Sequence, residues 1–261
     1  MSANTPGLPV GLVLRNPLRD VRGILYEAGV MAEYAGLRRS PVYRGEGVVS
    51  GDGRPVLLLP GFLTSASAFG MMGSWLARSG YRPHRATRRL NTACGEFSVS
   101  AIERRVGRIH ARTGQRVALV AHSRGGHFAR VLAVRRPDLV AGIVTLGEPP
   151  LDFTACNVAV LAPAFAVAAL GTAGVPGMMG ISCFYGDCCE RFREQLTQQL
   201  PGSMRHVAVH SPRDGIVHHG FVDEPHATRV TITASHLGML ANPEAYRAVA
   251  EGLQEIGAYS P

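Results

Sequence analysis

The chain contains no lysine. All 27 of its basic residues are arginine, set against 19 acids for a formal net charge of +8. A basic balance favours approach to phosphates or anionic surfaces. The arginines, however, are scattered as short pairs (Arg38 with Arg39, Arg88 with Arg89, Arg104 with Arg105, Arg135 with Arg136), with no long basic run and no interleaved aromatics. Nucleic acid is therefore not an expected partner. Charged residues make up only 18% of the 261 positions and apolar ones 46%. That balance excludes a disordered chain and predicts a compact one with a sizeable core, organised as a single domain over 1–261.

Several other signals are missing. The stretch 1–17 has no charged region followed by an apolar core, so no signal peptide is expected and a cytoplasmic location follows. The five cysteines are an odd number, and the spacing of Cys183, Cys188 and Cys189 matches neither a zinc ribbon nor a zinc finger. Free thiols in a reducing compartment are expected, with a bridge from this cluster to Cys94 or Cys156 as the alternative. No helical H-E-x-x-H occurs, and the grouping of His210, His218, His219 and His226 with Asp214 and Asp223 lacks a metal-ligand spacing. The sequence thus predicts no metal and no cofactor.

What is present alternates. Val21, Ile24, Leu25, Ala28, Met31 and Ala32 recur at helical spacing and predict one amphipathic helix over 20–37 whose apolar face packs on a sheet. The apolar run 56–59 reads as a buried strand ended by Pro60-Gly61. Helix 67–78 and a short strand 82–86 follow. Ser100 and Glu103 have capping-box spacing ahead of Ile102, Val106 and Ile109. Strand 117–121 leads through His122-Ser123-Arg124-Gly125-Gly126 into a helix stopped by Pro137. Further strands fit 139–146, 205–210 and 229–233, and a last helix begins near Pro243. Strands alternating with helices predict an α/β fold with a mostly parallel central sheet covered on both faces.

One segment departs from this rhythm: 153–186 holds no charged residue. Its length suffices for a membrane span of about 20 residues. Pro163, Pro176 and the glycines at 171, 174, 177 and 180 divide it, however, and it lies between two strands of the same sheet. It is expected to be an apolar helical lid inserted at about 150–200, with Val160, Phe165, Val167, Leu170 and Met178 lining a substrate cleft. A lid face of this kind also predicts weak contact with lipid surfaces, without any spanning helix.

The residues that carry chemistry begin at VALVAHSRGG. A serine hydroxyl is a weak nucleophile until a base takes its proton, and that base needs an acid to hold its tautomer. Here an apolar strand runs into a turn with Ser123 at its tip, flanked by Ala121 and Gly125, and then into a helix. The pattern is A-x-S-x-G, in which Ala121 adds only a methyl to the commoner glycine. Asp214 follows strand 205–210 and is the expected acid, with Asp223 as its rival. His236 follows strand 229–233 and is the expected base, while His122 is read as packing that points away along the turn. The backbone amides of Arg124 and of Phe62, in LLLPGFLTS, are the expected oxyanion donors.

The PGF loop, AHSRGG, SPRDG and SHLGM, in that order, resemble the α/β-hydrolase superfamily, and more narrowly its lipase and esterase branch of actinobacterial type. The resemblance covers about residues 50 to 257. It implies an inserted lid and hydrolysis of carboxylic esters, with a small-molecule or lipid acyl ester as the substrate. Acyltransferases and cyclases or thioesterases resemble the chain in the same residues, so transfer of the acyl group to an acceptor other than water is the alternative.

Overall fold

The computed structural model describes residues 17–87, 89–150, 156–217 and 225–258. Arg88, Asp223, His218 and His219 lie outside the described residues, as does the stretch 1–16. In chain order the elements are α1 (Pro17–Glu27), α2 (Val30–Arg39), α3 (Pro41–Arg44), β1 (Pro55–Leu59), α4 (Gly70–Arg78), β2 (Arg82–Arg85), α5 (Gly95–Thr113) and β3 (Val117–His122). Then follow α6 (Arg124–Arg135), β4 (Val140–Leu146), α7 (Val158–Thr172), α8 (Ser182–Tyr185), α9 (Glu190–Thr197), β5 (Arg205–His210), β6 (Thr228–Thr231) and α10 (Pro243–Ala258). Short 3-10 turns lie at Ala66–Phe69, Asp187–Cys189 and Leu237–Leu240.

The six strands form one sheet in the order β2-β1-β3-β4-β5-β6, and every pairing is parallel. Side chains alternate across a strand, so a strand that is apolar throughout feeds two cores. Val56 and Leu58 of β1 join Trp75, Val120, Val144, Tyr246 and Val249 on one face. Leu57 and Leu59 join Leu119, Val106, Phe128 and Leu132 on the other. The chain leaves β1 toward β2 on one side and resumes with β3 on the other. This reversal opens a crevice at the C-terminal ends of β1 and β3, where ligands of such sheets bind.

Three local expectations are corrected. The single helix over 20–37 is two helices parted at 28–29, and its apolar positions do not pack on the sheet: Val21 is 57% and Met31 72% exposed. The opposite side of α1 faces the protein instead. There Gly23 lies so close to Gly215 that a Cβ on either would overlap the other's carbonyl. Helix α5 starts at Gly95 rather than Ser100. Ser100 donates to Glu96 Oε1 at 3.3 Å and Glu103 pairs with Arg136 at 3.2 Å, so neither forms a capping box.

Pro163, finally, does not interrupt α7. The alanine-rich sequence around it has enough helix propensity to tolerate one lost hydrogen bond. The chain breaks later, where Gly174 and Gly177 adopt positive φ on either side of Pro176. No helix of the described residues is long and apolar enough to cross a membrane.

Trp75, the only tryptophan, fastens the N-terminal elements to this frame. Its indole N–H donates to the Val42 carbonyl at 2.8 Å and its ring lies 4.7 Å from that of Tyr246. Trp75→Phe keeps most of the packing and removes this hydrogen bond, while the Val42 carbonyl keeps the Gly45 amide at 3.1 Å. A loss of about 0.5–1.5 kcal/mol is expected, read from urea unfolding followed by circular dichroism.

Candidate active site

Ser123 joins β3 to α6 at the crevice, with φ 53° and ψ −130°. A side-chain-bearing residue rarely adopts this region, at a cost of about 1–3 kcal/mol. The surroundings hold it there. The Ser123 amide donates to the Leu146 carbonyl at 2.9 Å, and Gly126 donates to the Ser123 carbonyl at 2.8 Å. Gly125 lets α6 press against β1, since a Cβ there would overlap the Leu59 carbonyl. The loop after β1 is equally close: a Cβ on Gly61 would lie 3.0 Å from Ser123 Cβ. The structure thus sets Phe62, the next residue, beside the turn that carries Ser123 and Arg124.

The Arg124 side chain is occupied elsewhere. It donates to Asn91 Oδ1 at 3.1 Å and to the Ala93 carbonyl at 2.8 Å, and its guanidinium lies 5.9 Å from the Phe62 ring centre. Burial lowers its pKa to about 10, so it remains a cation at neutral pH.

Asp214 and His236 come from the loops after β5 and β6. Asp214 Oδ2 accepts from His236 Nδ1 at 2.7 Å, while Oδ1 accepts from the amides of Ile216 and Val217 at 2.9 and 2.7 Å. Burial, the largest influence on this carboxyl, pushes its pKa up. The His236 charge and the hydrogen bonds from His236, Val217 and Ile216 together outweigh it, leaving Asp214 below the ordinary carboxylate value. Burial likewise pushes His236 down, but the Asp214 charge, its hydrogen bond and the Glu27 charge lift it above the ordinary histidine value. An ionised Asp214 fixes the proton on Nδ1 and leaves Nε2 as the basic nitrogen.

Two acids that the sequence reading passed over hold these loops in place. Glu27 Oε1 accepts from the amides of His236 and Gly215 at 2.7 and 3.1 Å, and Oε2 accepts from Leu237 at 2.9 Å. Glu33 accepts from the Ser235 amide and hydroxyl, both at 2.8 Å. One clue was available: Glu27 occupies the last turn of α1, where the helix dipole disfavours a carboxylate. A charge kept at such a position implies a partner elsewhere.

His122 does not point away from the site. Its ring lies 4.6 Å from that of His236, and its Nε2 bonds the His236 carbonyl at 2.9 Å. Burial and the neighbouring His236 charge depress its pKa to about 3, so it is a neutral donor that supports the His236 backbone.

Ser123 and His236 open onto a cleft of about 450 Å³. Its far wall comes from the connection between β4 and β5, including Val160, Leu161 and Phe165 of α7 and Phe192 and Leu196 of α9. Of the five expected lining residues, Val160 and Phe165 line the cleft. Val167 is buried behind it, Leu170 is 47% exposed, and Met179 stands at the wall in place of Met178. Position along α7 explains the difference: its first half, up to Phe165, lines the cleft, whereas 167 and 170 lie further along the helix.

No protein-family model and no curated protein matches the chain. Solved structures do. The mature lipase BlEst2 of Bacillus licheniformis matches at 16% identity over 79% of this chain and 94% of its own, with a TM-score of 0.57. The metagenomic carboxyl esterase MGS0156 matches at 16% identity over 80% of this chain and 77% of its own, with a TM-score of 0.58. A soluble variant of the Saccharomyces cerevisiae monoglyceride lipase matches at 13% identity over 82% and 89%, with a TM-score of 0.56. At these identities the likeness establishes the fold: the chain has the α/β-hydrolase architecture.

The electrostatics of His236 can be measured directly. Its ring should titrate above the ordinary histidine value in NMR, with the resonance assigned by its absence from His236→Gln. Asp214→Asn should lower the midpoint strongly, and Glu27→Gln by a smaller amount, since each removes one of the negative charges that favour the imidazolium.

Proposed function

We propose that the protein is a serine esterase or lipase acting on carboxylic esters. The observation that carries this reading is the convergence of a strained serine turn and a short His236 to Asp214 hydrogen bond on one largely apolar cleft. The structural neighbours, among them lipases and a carboxyl esterase, point the same way.

In this reading Ser123 Oγ attacks the ester carbonyl as its proton passes to His236 Nε2. Asp214 stabilises the imidazolium that forms, and the amides of Phe62 and Arg124 receive the oxyanion. His236 then protonates the departing alcohol. Water, activated by the same histidine, releases the acid from the acyl-enzyme. Glu27, Glu33 and His122 are positioning residues, since they hold the backbone of the base and touch no reacting atom. The α7 segment serves as the lid, and the exposure of Val158, Phe165 and Leu170 suits weak contact with a lipid surface.

Ser123→Ala should reduce p-nitrophenyl ester hydrolysis by at least about three orders of magnitude while the protein stays folded. Retention of a tenth of the activity would overturn the assignment. The wild-type kcat/KM should rise with pH through a limb above the ordinary histidine value, because His236 must be neutral to accept the proton and its pKa is raised. Acid release from an acyl donor, compared with product formed on an added alcohol, separates hydrolysis from transfer.

The cleft predicts chain-length selectivity as well. Each CH₂ buried is worth about 0.8 kcal/mol, or roughly fourfold in kcat/KM, until the wall is reached. Replacing Val160 and Phe165 with alanine should flatten this profile. Leu170→Ala, on the outer face of α7, should leave it unchanged. An ester series from acetate upward measures both.

A further inference from the structure

Four of the five cysteines meet at one end of the cleft wall. Cys94 is the residue immediately before α5, Cys183 lies in α8, and Cys188 and Cys189 lie in the turn that leads into α9. Their four Sγ atoms are all within 4.8 Å of one another. Cys94 Sγ is 3.2 Å from Cys189 Sγ, and Cys188 Sγ is 3.6 Å from Cys183 Sγ. We propose that Cys94, Cys183, Cys188 and Cys189 form a structural tetrathiolate site for a single Zn(II) ion.

A tetrahedral ion with bonds of about 2.3 Å sets its four sulfurs about 3.8 Å apart, a small adjustment from the spacing observed. Two separate disulfides would require each sulfur to meet only its own partner, whereas here all four converge. Four soft thiolates without imidazole or carboxylate are the donor set that selects zinc among the common divalent ions.

The surroundings suit the negative charge of such a centre. The amides of Glu96 and Phe97, at the start of the 19-residue α5, point to the Cys94 sulfur, and that of Glu96 also reaches Cys189. The buried Arg124 guanidinium is within electrostatic reach of Cys94, Cys183 and Cys189. Amide and cationic partners of this kind orient metal ligands and stabilise their charge. The Arg193 side chain holds the intervening turn by donating to the carbonyls of Gly186 at 2.8 Å and Cys183 at 3.4 Å. Cys188 is exposed, which gives the ion a route in from solvent.

The site would clamp the α8–α9 part of the cleft wall to the head of α5. It stands independently of the ester-hydrolase reading, because none of its ligands takes part in that chemistry.

The test uses full-length protein purified under reductant from zinc-supplemented cells. Elemental analysis should find about one zinc per chain. Exchange for Co(II) should produce the intense near-ultraviolet thiolate-to-cobalt absorption and the visible bands of a tetrahedral ion. Cys183→Ser/Cys188→Ser should lose both the zinc and these bands, while Cys156→Ser, outside the cluster, should keep them. Wild-type protein without zinc and without the cobalt bands would overturn the proposal whether or not the variants fold. So would a double variant that retained one zinc per chain.

Discussion

The close approach of α6 to β1 is the constraint on which the rest of the site depends. Because Gly125 has no side chain, the first turn of α6 rests against the Leu59 carbonyl, and the chain between β3 and α6 must reverse within a single residue. That residue is Ser123, held at a positive φ that its own side chain disfavours. The same contact draws together the ends of β1 and β3, so the loop carrying Phe62 and the turn carrying Arg124 share one small space. A larger residue at 125 would relax the serine and separate these loops together.

A second layer of polar contacts turns this geometry into a rigid assembly. Ser211, just after β5, donates to the Ala234 carbonyl at 2.6 Å and accepts from the Ala234 amide at 3.0 Å, joining the loop of Asp214 to that of His236. Glu27 bridges the same two loops from outside, and His122 supports His236 from beneath. Buried polar groups that find partners, as Ser211 does, rigidify their surroundings. The Arg124 guanidinium extends the network to Asn91 and Ala93, next to Cys94.

How much of this was legible in the sequence follows from the range of each signal. Strands such as β1 and β3 declare themselves because an unbroken apolar run has no other place than a sheet covered on both faces. Ser123, Asp214 and His236 could be singled out because each follows an expected strand: Ser123 an apolar run, Asp214 the strand ending at His210, and His236 the alternating Val230 and Ile232. The N-terminal helices misled, since apolar periodicity marks a buried face only when that face is the one turned inward. In α1 the close Gly23 to Gly215 contact and the Glu27 carboxylate decide the orientation instead. Glu27 and Glu33 bond amides about 200 residues away, and no local pattern announces such a partner. The sequence named Cys183, Cys188 and Cys189 and a link from them to Cys94 or Cys156 as the alternative, but Cys94 lies about 90 residues away, so no short-range ligand spacing chose between the two.

The reach of Glu27 has a consequence for how the molecule comes into being. Its three amide partners lie 188, 209 and 210 positions further along the chain. During synthesis α1 emerges first and must wait, with its carboxylate solvated, until β6 and the turn after it have left the ribosome. Contacts of such wide sequence separation carry a large loop-closure cost and form late. The sheet can therefore assemble before the loops bearing Asp214 and His236 acquire their final shape, and docking of the first helix becomes one of the last acts of maturation.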